Sequence, residues 1–379
     1  MNKIAPEVYY SVGTIAWRKN GADFYGLKII SPGITCNIHR ASLRIRKEKD
    51  IHLFVDVCEG NVDYTPVKFG DKKLKTEKVK DEISFFDQNQ IKIFFTAKKI
   101  NFNSLYGIGG EIDTGFVFVF PDLLLEKFDC NVGLTGNSIK LGKEITTGNF
   151  SSRINLSLNK AIDFKFKPKD KFLYYLKVVN GNLKSKADFI NTGKTVLNDF
   201  LLNAELKSGK IILKETTMNV FEGKVNIDAE ISRRKVKGKD KWKFKYDLQL
   251  CVTNLNAMEF CNAFEFNRNK LSGNFNGCIK TMVFGLSVKS LNGKLQSDNP
   301  GILYFPEAER YIEGMQESMQ KQVFDMMVER LKVYPYNFSI ISLKYDLNRR
   351  TTEIDFKFSG ADEYKFTLFY NQSWIDAIK

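Results

Sequence analysis

The chain has 379 residues, 43% of them hydrophobic and 27% charged. That is enough for a large core and excludes both a disordered segment and a helical membrane protein. No run of about 18 uncharged apolar residues is present, so no transmembrane helix is expected. The opening "MNKIAPEVYYSVGTIAWRKN" has no apolar stretch of signal-peptide quality, so the chain reads as cytoplasmic as written, or as one whose targeting segment has been removed. The net charge of +14 fits a lysine-rich solvated surface and leaves open attraction to a polyanion, either nucleic acid or anionic lipid. All 32 phenylalanines need a place.

In chain order, the dominant signal is alternation. "IHLFVDV" puts Ile51, Leu53, Val55 and Val57 on one face, and "IKIFFTA" does the same with Ile91, Ile93, Phe95 and Ala97. "RINLSLN" (Ile154, Leu156, Leu158) and "IDFKFK" (Ile162, Phe164, Phe166) follow. Residues 194–205, "KTVLNDFLLNAE", are a weak helix candidate. "VNIDAEI" then runs through the loop "RRKVKGKDK" into "WKFKYDLQLCVT" (242–253), whose even positions are apolar throughout. At strand rise this last stripe is about 40 Å long. "ISLKYDL", "EIDFKFS" and "YKFTLFYN" complete the series before "SWIDAIK", a second weak helix candidate. Period-two patterns with short links carrying Gly, Asn, Asp and Lys predict half-buried antiparallel strands joined by hairpins. Segments 59–69, 208–231 and 292–305 each begin a strand after Gly at an irregular period. That suggests serial strand addition along one elongated sheet without a strict repeat.

One helix is expected, over 307–332 after Pro306. Tyr311, Ile312, Met315, Met319, Val323, Met326 and Leu331 recur at spacings of three and four. Four of the eight methionines lie on it. Packing on the sheet is its plain role; contact with shifting apolar partners is the other.

Chemistry-bearing motifs are scarce. His39 and His52 lie in or beside strands with no metal-ligand spacing around them, which suits structural or surface roles. "YGIGGEIDTG" lacks the third glycine of a dinucleotide fingerprint and reads as a turn. The six cysteines form no CxxC pair and read as mostly buried small hydrophobes; Cys251 and Cys261 are close in sequence, which alone pairs nothing. No catalytic residue, metal ligand or cofactor is assigned. The densest charge cluster, Arg233 to Lys245, interleaves with Trp242 and Phe244. It reads as a solvated hairpin tip, an anionic-headgroup contact or, least, a nucleic-acid stacking surface.

A resemblance emerges in the last third. "KLSGNFNGCIKTMVFGLSVKSLNGKLQSDNPGILYFPE" (270–307), the expected helix and "YPYNFSIISLKYDLNRRTTEIDFKFSGADEYKFTLFYN" (334–371) follow one another. The succession resembles the C-terminal domain of YdbH-like proteins of the AsmA-like group, once labelled dicarboxylate transport. Gly273, Gly293, Gly301, Tyr304, Tyr336, Phe338, Tyr345, Asp346 and Gly360 fit that pattern. Two departures are the turn after Asp346, which lacks the usual Gly, and Ala-Asp-Glu after Gly360 in place of Asn-Pro. The match covers about 110 residues. It divides the chain, without a sharp boundary, into a β-rich 1–269 and a YdbH-like 270–379.

The resemblance implies a twisted antiparallel sheet curled into an open apolar groove. It also implies carriage of phospholipid across the periplasm between inner and outer membranes; separately, the last strand, Tyr364 to Asn371, offers an edge to which a small outer-membrane partner is expected to add as a strand. Trp242, Phe244, Tyr246, Leu248, Leu250, Ile354, Phe356, Phe358, Phe366 and Leu368 are the expected groove lining. Lys235, Lys237, Lys239 and Lys241 are the expected headgroup contacts. Family members usually begin with a membrane anchor, which this chain as written lacks. The competing expectation is a structural or adhesive envelope β-protein with an ordinary filled core. An outer-membrane barrel and an enzyme are weaker alternatives.

Overall fold

A computed structural model describes residues 2–5, 8–31, 34–47, 50–64, 90–104, 108–141, 145–168, 170–236, 242–263, 270–285, 287–304, 322, 325–326 and 333–371. The protein is mainly β. The strands are β1 (Asn2–Ala5), β2 (Val8–Ser11), β3 (Thr14–Arg18), β4 (Gly21–Ser31), β5 (Ile34–Lys47), β6 (Ile51–Tyr64), β7 (Ile91–Ser104), β8 (Gly109–Phe120), β9 (Leu124–Leu141), β10 (Ile145–Leu158) and β11 (Ile162–Asp163). Helix α1 (Lys171–Val178) precedes β12 (Val179–Asn191), β13 (Val196–Lys207), β14 (Lys210–Val220), β15 (Gly223–Lys235) and β16 (Trp242–Asn256). After α2 (Ala257–Ala263) come β17 (Lys270–Leu271), β18 (Asn274–Phe284), β19 (Ser287–Ser297), β20 (Gly301–Tyr304), β21 (Tyr334–Asp346), β22 (Thr351–Gly360) and β23 (Glu363–Asn371). The chain forms two compact units, Met1–Asp188 with Asn203–Lys210, and Phe189–Leu202 with Ile211–Lys379.

In the first unit, β4 to β10 pair in sequence order, β4 also carrying β2 and β3 on its other side. All these pairs are antiparallel except β6–β7, which is parallel, with Ile51 opposite Ile91. The expectation of antiparallel pairing throughout is corrected there. In the second unit, β15, β16, β18, β19, β21, β22 and β23 pair antiparallel in that order.

Several local expectations also change. Residues 196–207 form strand β13 rather than a helix. Asp199 has φ of 49°, so one residue is inserted as a bulge and strict alternation breaks into a spacing that mimics a helix. Gly109 and Gly110 open strand β8 instead of making a turn, and a Cβ at Gly110 would stand 2.0 Å from the Gly133 carbonyl oxygen. Only Ile162 and Asp163 of "IDFKFK" are extended; Phe164 and Phe166 are exposed beyond the strand end. The helix expected over 307–332 lies outside the described residues except Gln322, Asp325 and Met326, which are helical and exposed. "SWIDAIK" lies outside them altogether. The two short helices were not anticipated. Each is started by a side chain taking orphan amides: Asp170 accepts from Leu173 N–H at 3.0 Å, and Asn256 accepts from Met258 N–H at 3.0 Å.

The cysteines differ as well. Cys251 and Cys278 face each other across β16 and β18 and are disulfide-bonded, with Cα atoms 4.1 Å apart. The other four are free, and none is buried: Cys58 is exposed, and Cys36, Cys130 and Cys261 are half-buried. Cys36, Cys58 and Cys130 lie on sheet faces too open to enclose them, and Cys261 lies on the short helix α2.

The tightest core lies in the second unit. Phe358 and Tyr336 are essentially fully buried, with Leu303, Tyr334 and Tyr364 around them. Tyr336 donates its hydroxyl hydrogen bond to the Ser272 carbonyl. Two glycines make room for that ring: a Cβ on Gly301 would stand 2.5 Å from the Tyr336 hydroxyl and one on Gly273 2.8 Å. Gly273 also has φ of 109°, which L side chains rarely adopt. Burial pushes the Tyr336 phenol up to about 12. Elsewhere burial is shallow. Among the described residues, Phe275 and Phe358 are the only buried phenylalanines.

Candidate functional site

Each unit carries an apolar row running across seven strands. In the second unit it is Ile227, Leu250, Ile279, Gly293, Leu343, Ile354 and Leu368, each directly opposite the next. A parallel row is Val225, Val252, Gly277, Leu295, Ile341, Phe356 and Phe366. Six strand spacings make each row about 29 Å long. The residues are placed there by alternation, since every second side chain of an extended strand points to one face. The opposite face carries Asp228, Gln249, Lys280, Asn292, Lys344 and Glu353 in register. The second unit thus has one apolar and one charged face.

The apolar face is incompletely covered. Val225, Val252 and Ile341 are buried, whereas Ile227, Leu295, Leu343, Ile354 and Phe356 are only half-buried. Leu250, second in its row, keeps 36% of its surface. Of the two described helices, α2 contributes Ala257, packed with Phe275 and Ile341.

The expected lining separates into groups. Tyr246, Leu248, Leu250, Ile354 and Phe356 lie on the apolar face and are half-buried or exposed. Register puts Phe366 opposite Phe356 and Leu368 opposite Ile354. Trp242 pairs with Lys235 at the hairpin end. Phe244 sits under the Arg233 guanidinium, 5.5 Å from its ring centre, so the row ends in a cation–π contact. Phe358 differs. It is 0% exposed and packed against Tyr336 at 5.1 Å between ring centres, so it belongs to sealed core and not to an open lining. Its row stops there because β20 and the Tyr334–Tyr336 stretch of β21 close over it. Of the headgroup candidates, Lys235 is exposed at the end of β15; Lys237, Lys239 and Lys241 lie outside the described residues.

The first unit holds an apolar surface that strict alternation revealed only in part. Leu27, Ile38, Gly60, Ile100, Ile112, Val132 and Ile154 form a seven-strand row of the same design, again with one glycine in it. A second row is Ala22, Leu43, Val55, Phe95, Phe116 and Phe128, in which Phe95 and Phe116 stack at 4.8 Å. Phase shifts hid the first row. Glu59 and Lys99 have φ of 59° and 54°, and apolar residues change from odd to even positions there. One signal for such bulges recurs: a carboxylate or amide on a strand later in the chain takes the bulge amide. Lys99 N–H donates to Asp113 at 2.8 Å, Glu215 N–H to Asp228 at 3.1 Å and Asn254 N–H to Asn276 at 2.8 Å.

Nothing among the described residues gathers reactive groups. No cluster of three potential metal ligands is present among them. His52 packs edge-on against Phe54 and Phe94, and His39 is exposed. Among the described residues, no helix is long and apolar enough to cross a membrane. No protein-family model, curated protein or solved structure matches the chain.

Proposed function

We propose that the chain is a lipid-transfer bridge module of the YdbH-like, AsmA-like kind, carrying phospholipid acyl chains along its apolar sheet faces between inner and outer membranes. The observation that carries this reading is the seven-strand apolar row, unbroken by a charge and half-covered by the described protein. Left to water, such a surface costs free energy in proportion to its area. An acyl chain covers it with matching apolar contact. A sheet also suits the task because its backbone polar groups are spent on neighbouring strands, leaving none for the lipid to meet. Transfer breaks no bond, so the module is non-catalytic and takes no cofactor. The Cys251–Cys278 cystine supports an oxidising, periplasmic setting. Lys235 and its neighbours at the hairpin tip serve as headgroup contacts.

Strand β23 pairs with β22 and is the place for the small outer-membrane partner, by strand addition. Phe369 on it is 60% exposed, so a photo-reactive residue there should trap the partner, and failure to trap one in envelope membranes removes this part.

Native mass spectrometry of the purified chain tests the main reading. Co-purified phospholipid is the expected result, and a lipid-free mass after gentle extraction overturns it. The second reading, an envelope β-protein with a filled core, draws on the sealed cluster around Phe358. It expects the lipid-free mass.

A further inference from the structure

Trp17 is the most exposed large apolar side chain among the described residues, at 80%. It stands on β3, one residue before the end of that strand. Two more exposed apolar residues share its face. Ile15 is 41% exposed on the same strand, and Ile45 is 45% exposed near the end of β5. Their common face follows from register: Trp17 is opposite Ala22, Ala22 opposite Leu43, and Ile45 lies two residues further along β5. The β3–β4 turn is tied to that strand end, because Ile45 N–H donates to the Asn20 carbonyl at 2.8 Å.

Cations surround the same corner. Arg44 and Arg46 emerge on the other face of β5, Arg44 opposite Gly21. Lys47 ends the strand and Lys19 sits in the turn; all four are exposed. Arg18 is already engaged by Asp23 at 2.9 Å, which fixes its guanidinium beside the turn. Asp50 is the other described acid here, so the corner stays positive.

We propose that this corner of the first unit is a docking point for an anionic bilayer surface. An exposed Trp flanked by isoleucines suits the boundary between headgroups and acyl chains, where Trp is enriched. Arg44 and Arg46 on the opposite face, with Lys47 at the strand end and Lys19 in the turn, reach phosphate oxygens as the strand ends go in, their long stems lying along the sheet. A nucleic acid would use the cations and leave Ile15 and Ile45 without purpose, so charge and apolarity together select the bilayer. The proposal needs no lipid carriage: the residues lie at a sheet corner, and docking is read separately from co-purified lipid.

The test is flotation of the full chain with vesicles of 7:3 phosphatidylcholine and phosphatidylglycerol, beside pure phosphatidylcholine vesicles. Binding to the anionic vesicles, weakened by salt, is expected. The triple variant Arg44→Gln, Arg46→Gln, Lys47→Gln should lower the partition coefficient about 100-fold at low salt. Trp17→Ala should lower it about tenfold. Both sites are exposed, and unchanged circular-dichroism melts establish that the variants fold. Wild-type emission should shift to the blue on anionic vesicles, and Trp17→Phe should lose that shift. Variants that float like wild type overturn the proposal, because binding then resides elsewhere, as at Phe164 and Phe166 or at the 235–241 hairpin. Equal, salt-insensitive binding to pure phosphatidylcholine overturns it, as does full competition by short duplex DNA without an emission shift.

Discussion

A carboxylate placed at Leu250 separates an open apolar path from a filled core. Leu250 sits in its row between Ile227 and Ile279 and keeps 36% of its surface. Full burial of a leucine is worth about 1.5–3 kcal/mol, so roughly two-thirds of that, about 1–2 kcal/mol, is lost in Leu250→Glu. The weaker strand preference of Glu adds about 0.5 kcal/mol. The carboxylate itself stays hydrated on an open face and adds little. The sum of about 2 kcal/mol corresponds to a melting shift of about 4–8 °C for a unit of this size. A sealed site would add the desolvation of an unpaired charge, several kcal/mol more. Acyl chains meet the same charge in an apolar path, where it is expensive. The assay is paired: scanning calorimetry, and capture of a photo-crosslinkable phospholipid by the same sample. A modest melting shift with capture lost is expected. A fall of more than about 15 °C would refute the open face, and full capture by a folded variant would refute passage along this row.

Three further outcomes follow from particular contacts. Phe358→Ala, at 0% exposure among Tyr336, Tyr334 and Tyr364, should destabilise by about 3–5 kcal/mol in denaturant titration; a loss under about 1 kcal/mol would show that this core is not sealed. Tyr336 is held protonated by burial up to about 12, against about 10 in the unfolded chain. Its contribution is therefore complete below pH 10 and is lost as pH rises from 10 through 12, about 3 kcal/mol in all; Tyr336→Phe should flatten that slope, and an unchanged alkaline slope would count against the assignment. Asp113→Ala removes the acceptor for the Lys99 bulge amide and should cost about 1 kcal/mol, with faster hydrogen exchange at Lys99 as its marker; unchanged exchange there would disprove the clamp.

Period two is the only rule a half-buried strand imposes on its sequence, and it was enough wherever the ladder runs unbroken. From Trp242 to Val252 the alternation is continuous, and register with β15 and β18 keeps its even positions on one face. Across the β21–β22 hairpin the ladder is likewise unbroken from Ile341 opposite Phe356 to Leu343 opposite Ile354. Where a bulge intervenes, the rule inverts without any change in composition. Residues 51–57 present odd positions and residues 60–62 even ones, because the positive φ of Glu59 turns the phase over while register with β5 holds on both sides. The row through Gly60 and Ile100 was invisible for that reason, and β13 imitated a helix for the same reason. The bulge residues have no fixed identity: Glu, Lys, Asp and Asn all occupy the positive-φ position. Their partners are more uniform, since Asp113, Asp228 and Asn276 all present a short side-chain oxygen from a strand later in the chain. The information that sets the phase of a strand therefore lies on a different strand, later in the chain. A reading confined to each segment finds the strands and misses which face they share.

Depth of burial was illegible for a different reason. Ile354, Phe356 and Phe358 are equivalent in pattern, spaced by two on one strand. What separates them is distant in sequence. Gly273 and Gly301 leave the volume that the Tyr336 ring fills, and that ring with Tyr334 closes over Phe358. Two strand positions away, at Ile354, these residues no longer reach, and the side chain is left half-covered. Gly273, Gly301, Tyr334 and Tyr336 thus mark where the apolar face is closed. The surface on which the proposed function depends begins where they end. It is set by repetition of ordinary Ile, Leu and Phe across strands, which leaves no motif to recognise.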